Sequence, residues 1–322
     1  MDCIEICAGA GGQALGLEQA GFEAHALVEI DRAACATLRM NRPEWNIIED
    51  DVKRFDASPY KHIDLIAGGV PCPPFSVAGK QLGASDERDL FPEALRLIDE
   101  ARPSAVMLEN VRGFLDPEFR EYRDQLKDQL RRLGYSADWR LLNASDFGVS
   151  QLRPRVVIVA IKKEGAEYFS WPTELSIAPL PVGPLLLDLM SANDWEGAHA
   201  WSQQADTIAP TIVGGSKKHG GPDLGPTRAK KAWASLHVDG HGIAEQSPLP
   251  GFAGMPRLTT RMVARIQGFP DSWAFFGKKT PVYRQIGNAF PPPVAQAVAA
   301  QLRKCLLKMQ RITAVAEAVH GR

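Results

Sequence analysis

The sequence predicts an α/β fold: a doubly wound, Rossmann-like sheet with a second, smaller and loop-rich domain. Three observations carry this. Short apolar runs alternate with stretches of helical spacing through the first half of the chain, the arrangement that gives a parallel sheet flanked by helices. The first apolar run ends in the glycine turn Ala8-Gly9-Ala10-Gly11-Gly12, and an acid, Glu29, closes the next run, as in a ligand-binding βαβ unit. From residue 172 to residue 255, periodic runs give way to prolines and glycines, which marks a change of architecture.

Taken in order, residues 3–7 read as the first strand, and residues 13–19 as a helix that stops at Gly21. Residues 24–28 are the second strand. Residues 46–48, with Asp50-Asp51-Val52, are the end of a third, and residues 63–67 are a fourth. Residues 91–101 place Leu95, Ile98 and Ala101 at helical spacing, and Arg102-Pro103 closes them, because proline cannot continue a helix. Residues 104–108 form a fifth strand, ending in Glu109-Asn110-Val111. Residues 119–133 form an amphipathic helix stopped by Gly134. Residues 139–142 and 156–161 are late strands, the second preceded by Gln151-Leu152-Arg153-Pro154-Arg155. Regular structure returns at residues 258–266 and halts at Gln267-Gly268-Phe269-Pro270. A long amphipathic helix over 288–309 follows, with residues 311–322 as a frayed tail. The domain division is therefore 1–171, 172–257 and a return to the first domain over 258–322.

Composition bounds the function. A chain of 322 residues, 45% hydrophobic and 23% charged, suits a soluble protein with an ample core. A formal net charge of −1 gives no global pull on nucleic acid, so any such surface is a local patch. The five cysteines are scattered and form no C-x-x-C pair, which argues against a disulfide framework or a zinc site and for a reducing compartment. An N-terminus bearing Asp2 and Glu5 is no signal peptide, and no apolar run is long enough to span a bilayer. A cytoplasmic protein, close to the nucleoid, is expected.

The stretch Gly68-Gly69-Val70-Pro71-Cys72-Pro73-Pro74-Phe75-Ser76 places a cysteine on a proline-stiffened segment after a strand. Such a segment cannot join a helix or a sheet ladder. It presents a thiol where open α/β sheets do their chemistry, although a lone cysteine is more often packed in a core. The turn also leaves alternatives open, since Gly9-x-Gly11-x-x-Ala14 fits a nicotinamide fingerprint as well as a plain α/β turn.

Together the pieces resemble the DNA (cytosine-5) methyltransferases of bacterial type, over nearly the whole chain outside 172–255. The matching blocks, in order, are residues 5–12, Glu29, Asp51-Val52, residues 68–76, Arg88-Asp89-Leu90-Phe91 and Glu109-Asn110-Val111. Residues 151–155, residues 267–270 and Tyr283-Arg284-Gln285-Ile286-Gly287-Asn288-Ala289 complete the set. The resemblance implies methyl transfer from S-adenosyl-L-methionine, giving S-adenosyl-L-homocysteine, to carbon-5 of a cytosine flipped out of duplex DNA. It assigns Cys72 as the nucleophile at carbon-6, because a cysteine attacks well at neutral pH and can leave again. Glu109 becomes the acid held at N3 by burial. Arg153 and Arg155 are placed at the base's O2, at a nearby phosphate or behind the cysteine segment. Around the donor it puts Cys7, Ala8, Gly9, Ala10 and Gly12 at the methionine part, Glu29 at the ribose hydroxyls, Ile30 on the adenine and Asp51 at its amino group. Val52, Pro71, Leu90, Asn288 and Ala289 complete that pocket.

An unpaired base is needed for access. The resemblance implies that a loop over residues 77–90 closes on it, with Ser76, Lys80 and Arg88 at the backbone of the DNA. Residues 172–257 then read sequence in the major groove, and Lys217, Lys218, Arg228, Lys230 and Lys231 supply local positive charge. No metal is expected, and His237, Asp239 and His241 are read as loop polar groups. Double-stranded DNA is the expected partner of a monomer, with no membrane involved. Three departures from the family pattern stand out: Cys7 in place of an aromatic, Pro73 in place of a glutamine, and Phe290 in place of a smaller aliphatic. Three rival readings are a transfer-RNA cytosine-5 methyltransferase on the same fold, a nicotinamide-dependent dehydrogenase and a catalytically silent DNA-binding module.

Overall fold

The structure is a computed structural model that describes residues 1–71, 89–215 and 223–320, with side chains to residue 316. Seven strands form one sheet: β1 (Asp2–Ile6), β2 (Glu23–Glu29), β3 (Ile47–Glu49), β4 (Leu65–Gly69), β5 (Ala105–Val111), β6 (Tyr135–Asn143) and β7 (Pro154–Lys162). Their spatial order is β3-β2-β1-β4-β5-β7-β6. The first five are parallel, and β7 runs antiparallel to both β5 and β6. The order reverses between β1 and β4, which opens a crevice at the carboxyl ends of those strands.

Period-two alternation builds a two-faced core. On one face, Ile4, Ile6, Val28, Ile66, Val106, Leu108 and Ile158 pack against Ala94, Leu97 and Ile98 of α3 (Phe91–Ala101) and Leu126 and Leu130 of α4 (Arg120–Arg132). On the other, Cys3, Leu65, Ala67, Met107, Val157 and Val159 pack against Leu17 of α1 (Gly12–Gln19). The same face meets Val294, Val298, Leu302 and Leu306 of α10 (Pro292–His320). Helix α2 (Arg32–Asn41) follows β2 and is capped by Asp31, which accepts from Ala33 N at 2.9 Å.

Strands β5 and β6 run longer than the expected 104–108 and 139–142, and other boundaries differ from expectation for a physical reason. Strand β4 covers Leu65–Gly69, not residues 63–67, because Gly68 ladders with Ile6 and Leu108, and Gly69 with Glu109. A Cβ at Gly68 would sit 2.6 Å from Ile6 O, so the glycine admits a close neighbour strand rather than a turn. The helix expected over 288–309 starts later, as α10 at Pro292, a position where a missing N–H is harmless, and Asn288 instead ends a separate helix, α9 (Lys279–Asn288). The expected frayed tail is helical as far as His320, since residues 311–320 hold neither glycine nor proline. The helix expected from residue 258 is α8 (Thr260–Ile266), started by Thr259, whose hydroxyl accepts from Met262 N at 3.3 Å.

Between β7 and α8 the chain forms the short helices α5 (Val182–Met190), α6 (Ala198–Gln204) and α7 (Thr227–Ala234) among long irregular stretches. Their apolar cluster includes Leu186, Trp201 and Trp233 and runs on through Leu258, Met262 and Tyr283 to Leu15, Leu27 and Leu38. No helix among the described residues is long and apolar enough to cross a membrane.

Candidate active site

Two adjoining cavities, of about 240 and 710 Å³, open at the carboxyl ends of β1, β2, β4 and β5. Cys7, Glu29, Gly69, Glu109 and Asn288 line both, so they form one cleft. The smaller cavity follows the glycine turn: Cys7, Ala8, Gly9, Ala10 and Gly12 wall it, with Asn288 and Ala289 opposite. Ile30, Asp51, Val52, Pro71 and Leu90 wall the larger. The structure thus brings every residue expected around the donor into one place.

Local chemistry fixes that wall. Gly12 lies so close to the C-terminal segment that a Cβ there would be 2.3 Å from Phe290 O, which only glycine permits. Phe290 itself is buried beside α10. Trp273 Nε1 donates to Ala10 O at 3.1 Å and braces the turn from outside. The Glu29 carboxylate accepts from Gly9 N at 2.7 Å and from Asp31 N at 2.6 Å, so part of its capacity already holds the turn. Burial raises its pKa, against the pull of those amides. Ile30 is 66% exposed at the cleft and offers an apolar face. Asp51 accepts from Lys53 N at 3.0 Å and heads a single helical turn. The Cys7 thiol is pushed up to about 12, by burial first and then by Glu29, so it stays protonated and forms an inert part of the wall.

The antiparallel run of β7 supplies the cation. It sets Arg155 opposite Val111 and Val157 opposite Glu109, so Arg155 and Glu109 meet on the diagonal. Arg155 Nε lies 2.8 Å from Glu109 Oε1, with 14% and 12% of the two side chains exposed. Burial raises the Glu109 pKa, opposed by Arg155 and Arg153. Next to it, Asn110 Nδ2 donates to Val70 O at 2.9 Å, and Leu90 N donates to Pro71 O at 3.3 Å. The residues on either side of 72–88 are thereby tied to each other and to β5. Cys72, Ser76, Lys80 and Arg88 lie outside the described residues, as do Lys217 and Lys218.

Arg153 is expected at the base's O2, at a nearby phosphate or behind the cysteine segment, and its contacts among the described residues are with backbone carbonyls. It is fully buried, and its guanidinium donates to Ile212 O at 2.7 Å, Gly287 O at 2.8 Å and Ala289 O at 3.0 Å. A fork holding three backbone carbonyls braces the fold. Of the expected DNA contacts on α7, Arg228 and Lys231 are exposed, whereas Lys230 Nζ pairs with Asp223 Oδ2 at 2.8 Å. Asp239 bonds His241 at 2.8 Å and Arg257 at 2.7 Å, in keeping with loop polar groups. Among the described residues, Asp2, Glu23 and His25 are close enough together to hold a metal. They lie at the start of β1 and β2, away from the cleft.

Sequence reasoning missed Glu5, Gln13, Asp31 and Arg284, all of which line the smaller cavity. Glu5 and Arg284 stand inside the matching blocks, which was the available signal. Among the described residues, nothing donates a hydrogen bond to the buried acceptors Glu5 Oε2 and Gln13 Oε1. Burial, then Glu29, raises the Glu5 pKa well above the usual carboxylate range. A cavity with four acids, two unmet acceptors and one cation, Arg284, held 3.7 Å from Asp31, fits a ligand with a cationic head and hydroxyls. S-Adenosylmethionine meets that description, and a pyrophosphate does not.

Comparison with known proteins bears on the same cleft. The family model described as C-5 cytosine-specific DNA methylase matches residues 1–304. Type II methyltransferase M.NgoMIV of Neisseria gonorrhoeae is 59% identical over 95% of this chain and 98% of its own. Type II methyltransferase M.NaeI of Lentzea aerocolonigenes is 58% identical over 95% of this chain and 75% of its own. Among solved structures, a DNA modification methyltransferase encoded within an Escherichia coli prophage superposes with a TM-score of 0.67 at 25% identity, covering 95% of this chain and 99% of that one. The S. pombe Dnmt2 methyltransferase shares the fold, with a TM-score of 0.63 at 18% identity over 96% and 99% of the two chains.

Proposed function

The chain belongs to the C-5 cytosine-specific DNA methylase family, and from that premise we propose how its residues divide the work. The activity is DNA (cytosine-5) methyl transfer, and the relatives favour DNA over transfer RNA as substrate. Their Type II designation supports a place in a restriction–modification pair.

S-Adenosylmethionine supplies an electrophilic methyl group when bound. Cys7, Gly9, Glu29, Asn288 and Ala289 hold its sugar and amino-acid parts, and Ile30, Asp51, Val52 and Leu90 its adenine. Carbon-5 of cytosine is too weak a nucleophile until the ring is activated. The Cys72 thiolate adds to carbon-6, and Glu109, as the protonated acid, hydrogen-bonds or protonates N3 so that the ring carries no net charge. The electron pair then at carbon-5 would take the methyl group as its bond to sulfur breaks, leaving S-adenosylhomocysteine. The N3 proton returns to Glu109, and loss of the carbon-5 proton to solvent expels the thiolate and restores the aromatic ring. Arg155 orients Glu109 and stands ready at O2. Asn110 holds the backbone that enters the cysteine segment. Residues 172–257 read the recognition sequence, with Arg228 and Lys231 among the contacts to phosphate.

One observation carries this reading. The Glu109–Arg155 pair sits in the cleft wall at 2.8 Å, beside Pro71, the residue before Cys72. Single-molecule sequencing of DNA from cells expressing the chain should show 5-methylcytosine in one short sequence. Duplex carrying 5-fluorocytosine at that position should then cross-link to the native chain and not to Cys72→Ser, seen on a denaturing gel. Methylation by Cys72→Ser at the native rate would overturn the covalent route.

A further inference from the structure

Two buried side chains ahead of β7 hold together segments of the chain that lie far apart in sequence. Gln151 Oε1 accepts from Ile212 N at 2.9 Å, and Arg153 Nη1 donates to Ile212 O at 2.7 Å. Residue 212 is therefore held by its N–H and its carbonyl together. The same two side chains reach the segment that joins α9 to α10. Arg153 Nη2 forks to Gly287 O and Ala289 O, at 2.8 and 3.0 Å. Gln151 Nε2 donates to Gln267 Oε1 at 2.8 Å, and Gln267 Nε2 to Ala289 O at 2.6 Å. All three side chains are fully buried.

Backbone packing closes the junction further. A Cβ at Gly214 would lie 2.4 Å from Asn288 Oδ1, and one at Gly287 would lie 2.5 Å from Gly214 Cα. Asn288 Nδ2 donates to Gly215 O at 3.3 Å. On one side of this junction, Asn288 and Ala289 wall the donor cavity. On the other, residues 209–215 belong to the region assigned to reading DNA.

We propose that Gln151 and Arg153 are positioning residues that couple the seating of DNA on residues 172–257 to binding of the methyl donor beside Asn288 and Ala289. This rests on the functional reading above. A planar guanidinium has donors in fixed directions, so it cannot keep Ile212, Gly287 and Ala289 together if one of them shifts. Lysine offers a point charge in the same place without that fork. Movement of residue 212 on binding DNA is thereby passed to the donor wall, and linkage makes the effect reciprocal.

Calorimetry of S-adenosylhomocysteine, with and without a duplex carrying the site found by sequencing, tests it. For the native chain, the duplex should tighten S-adenosylhomocysteine binding by about fivefold or more. In Arg153→Lys, affinity without DNA should stay within about threefold while the tightening falls below about twofold. Gln151→Met should move the ratio the same way and serves if the lysine variant does not fold. A purely structural role would lower the melting temperature and both affinities and leave their ratio unchanged. The proposal is overturned if either folded variant keeps the native ratio, or if the native chain shows no tightening. A native chain that methylates no DNA would instead remove the functional reading itself.

Discussion

Burial and a neighbouring cation pull the Glu109 carboxyl in opposite directions, and burial prevails. A carboxyl is protonated below its pKa, so raising that value carries the acid form to higher pH. Single-turnover methyl transfer should therefore decline as pH rises through the raised value. Glu109→Gln should remove that alkaline limb and lower the rate by about 10²- to 10⁴-fold, with S-adenosylhomocysteine affinity nearly kept. Glu5 gives the matching stability test. Its folded pKa is raised well above the unfolded one, so the folded state holds the proton longer. Stability is then full below the unfolded carboxylate range and is lost as pH rises through the folded value. Thermal melts of Glu5→Gln across pH should lack this contribution and fall less steeply than the native curve. At this scale the sequence spoke unevenly. The residue types of the cleft were legible, because Glu109 and Arg155 fall in blocks whose spacing is tied to chemistry. Arg153 was not, since two arginines separated by one residue look alike until β7 runs antiparallel and only one of them meets the carboxylate.

Helices α1 and α10 meet over the sheet through Gly16. A Cβ there would fall 2.5 Å from Ala295 Cβ, 2.6 Å from Pro292 O and 2.7 Å from Gln296 N. Alanine would favour the helix by about 1 kcal/mol, but two of the three obstacles are backbone, and overpacking costs about 1–3 kcal/mol. Gly16→Ala should therefore destabilise the chain on balance, by about 1 kcal/mol, read as a lowered denaturant midpoint with unchanged slope. Elements with their own period were legible: α3 lies where its apolar spacing and closing Arg102-Pro103 put it. Elements held by tertiary contact were not. Helix α9 carries Pro281 and Gly287, both poor helix formers, and its end is set by Arg153 and Gly214 from elsewhere in the chain. Gly68 and Gly69 fall outside the strand expected over 63–67, yet they are strand residues, and Gly68 allows close approach.

Across the whole molecule, the reversal of strand order between β1 and β4 decides where a ligand sits, and the charges around that point decide which one. The glycine turn alone fits a dinucleotide as well as a sulfonium nucleoside, which is why the sequence left both open. The lining of the folded cleft bears on the choice. Glu5, Glu29, Asp31 and Glu109 surround the smaller cavity, and Arg284 leans toward Asp31. A pyrophosphate there would face acidic groups and buried acceptors rather than donors, whereas a ligand bearing a cation and hydroxyls can donate to Glu5 Oε2 and Gln13 Oε1, which have no hydrogen-bond partner among the described residues. Ligands that bind only the folded state raise its stability by mass action. At a hundredfold excess over Kd this is about 2.7 kcal/mol, or roughly 5 °C for a chain of this size. S-Adenosylhomocysteine should therefore raise the melting temperature by roughly that amount in a differential scan, and NAD at equal concentration should leave it unchanged. A shift with NAD and none with S-adenosylhomocysteine would mean that the acids of the cleft are compensated by a group other than a donor's cationic head.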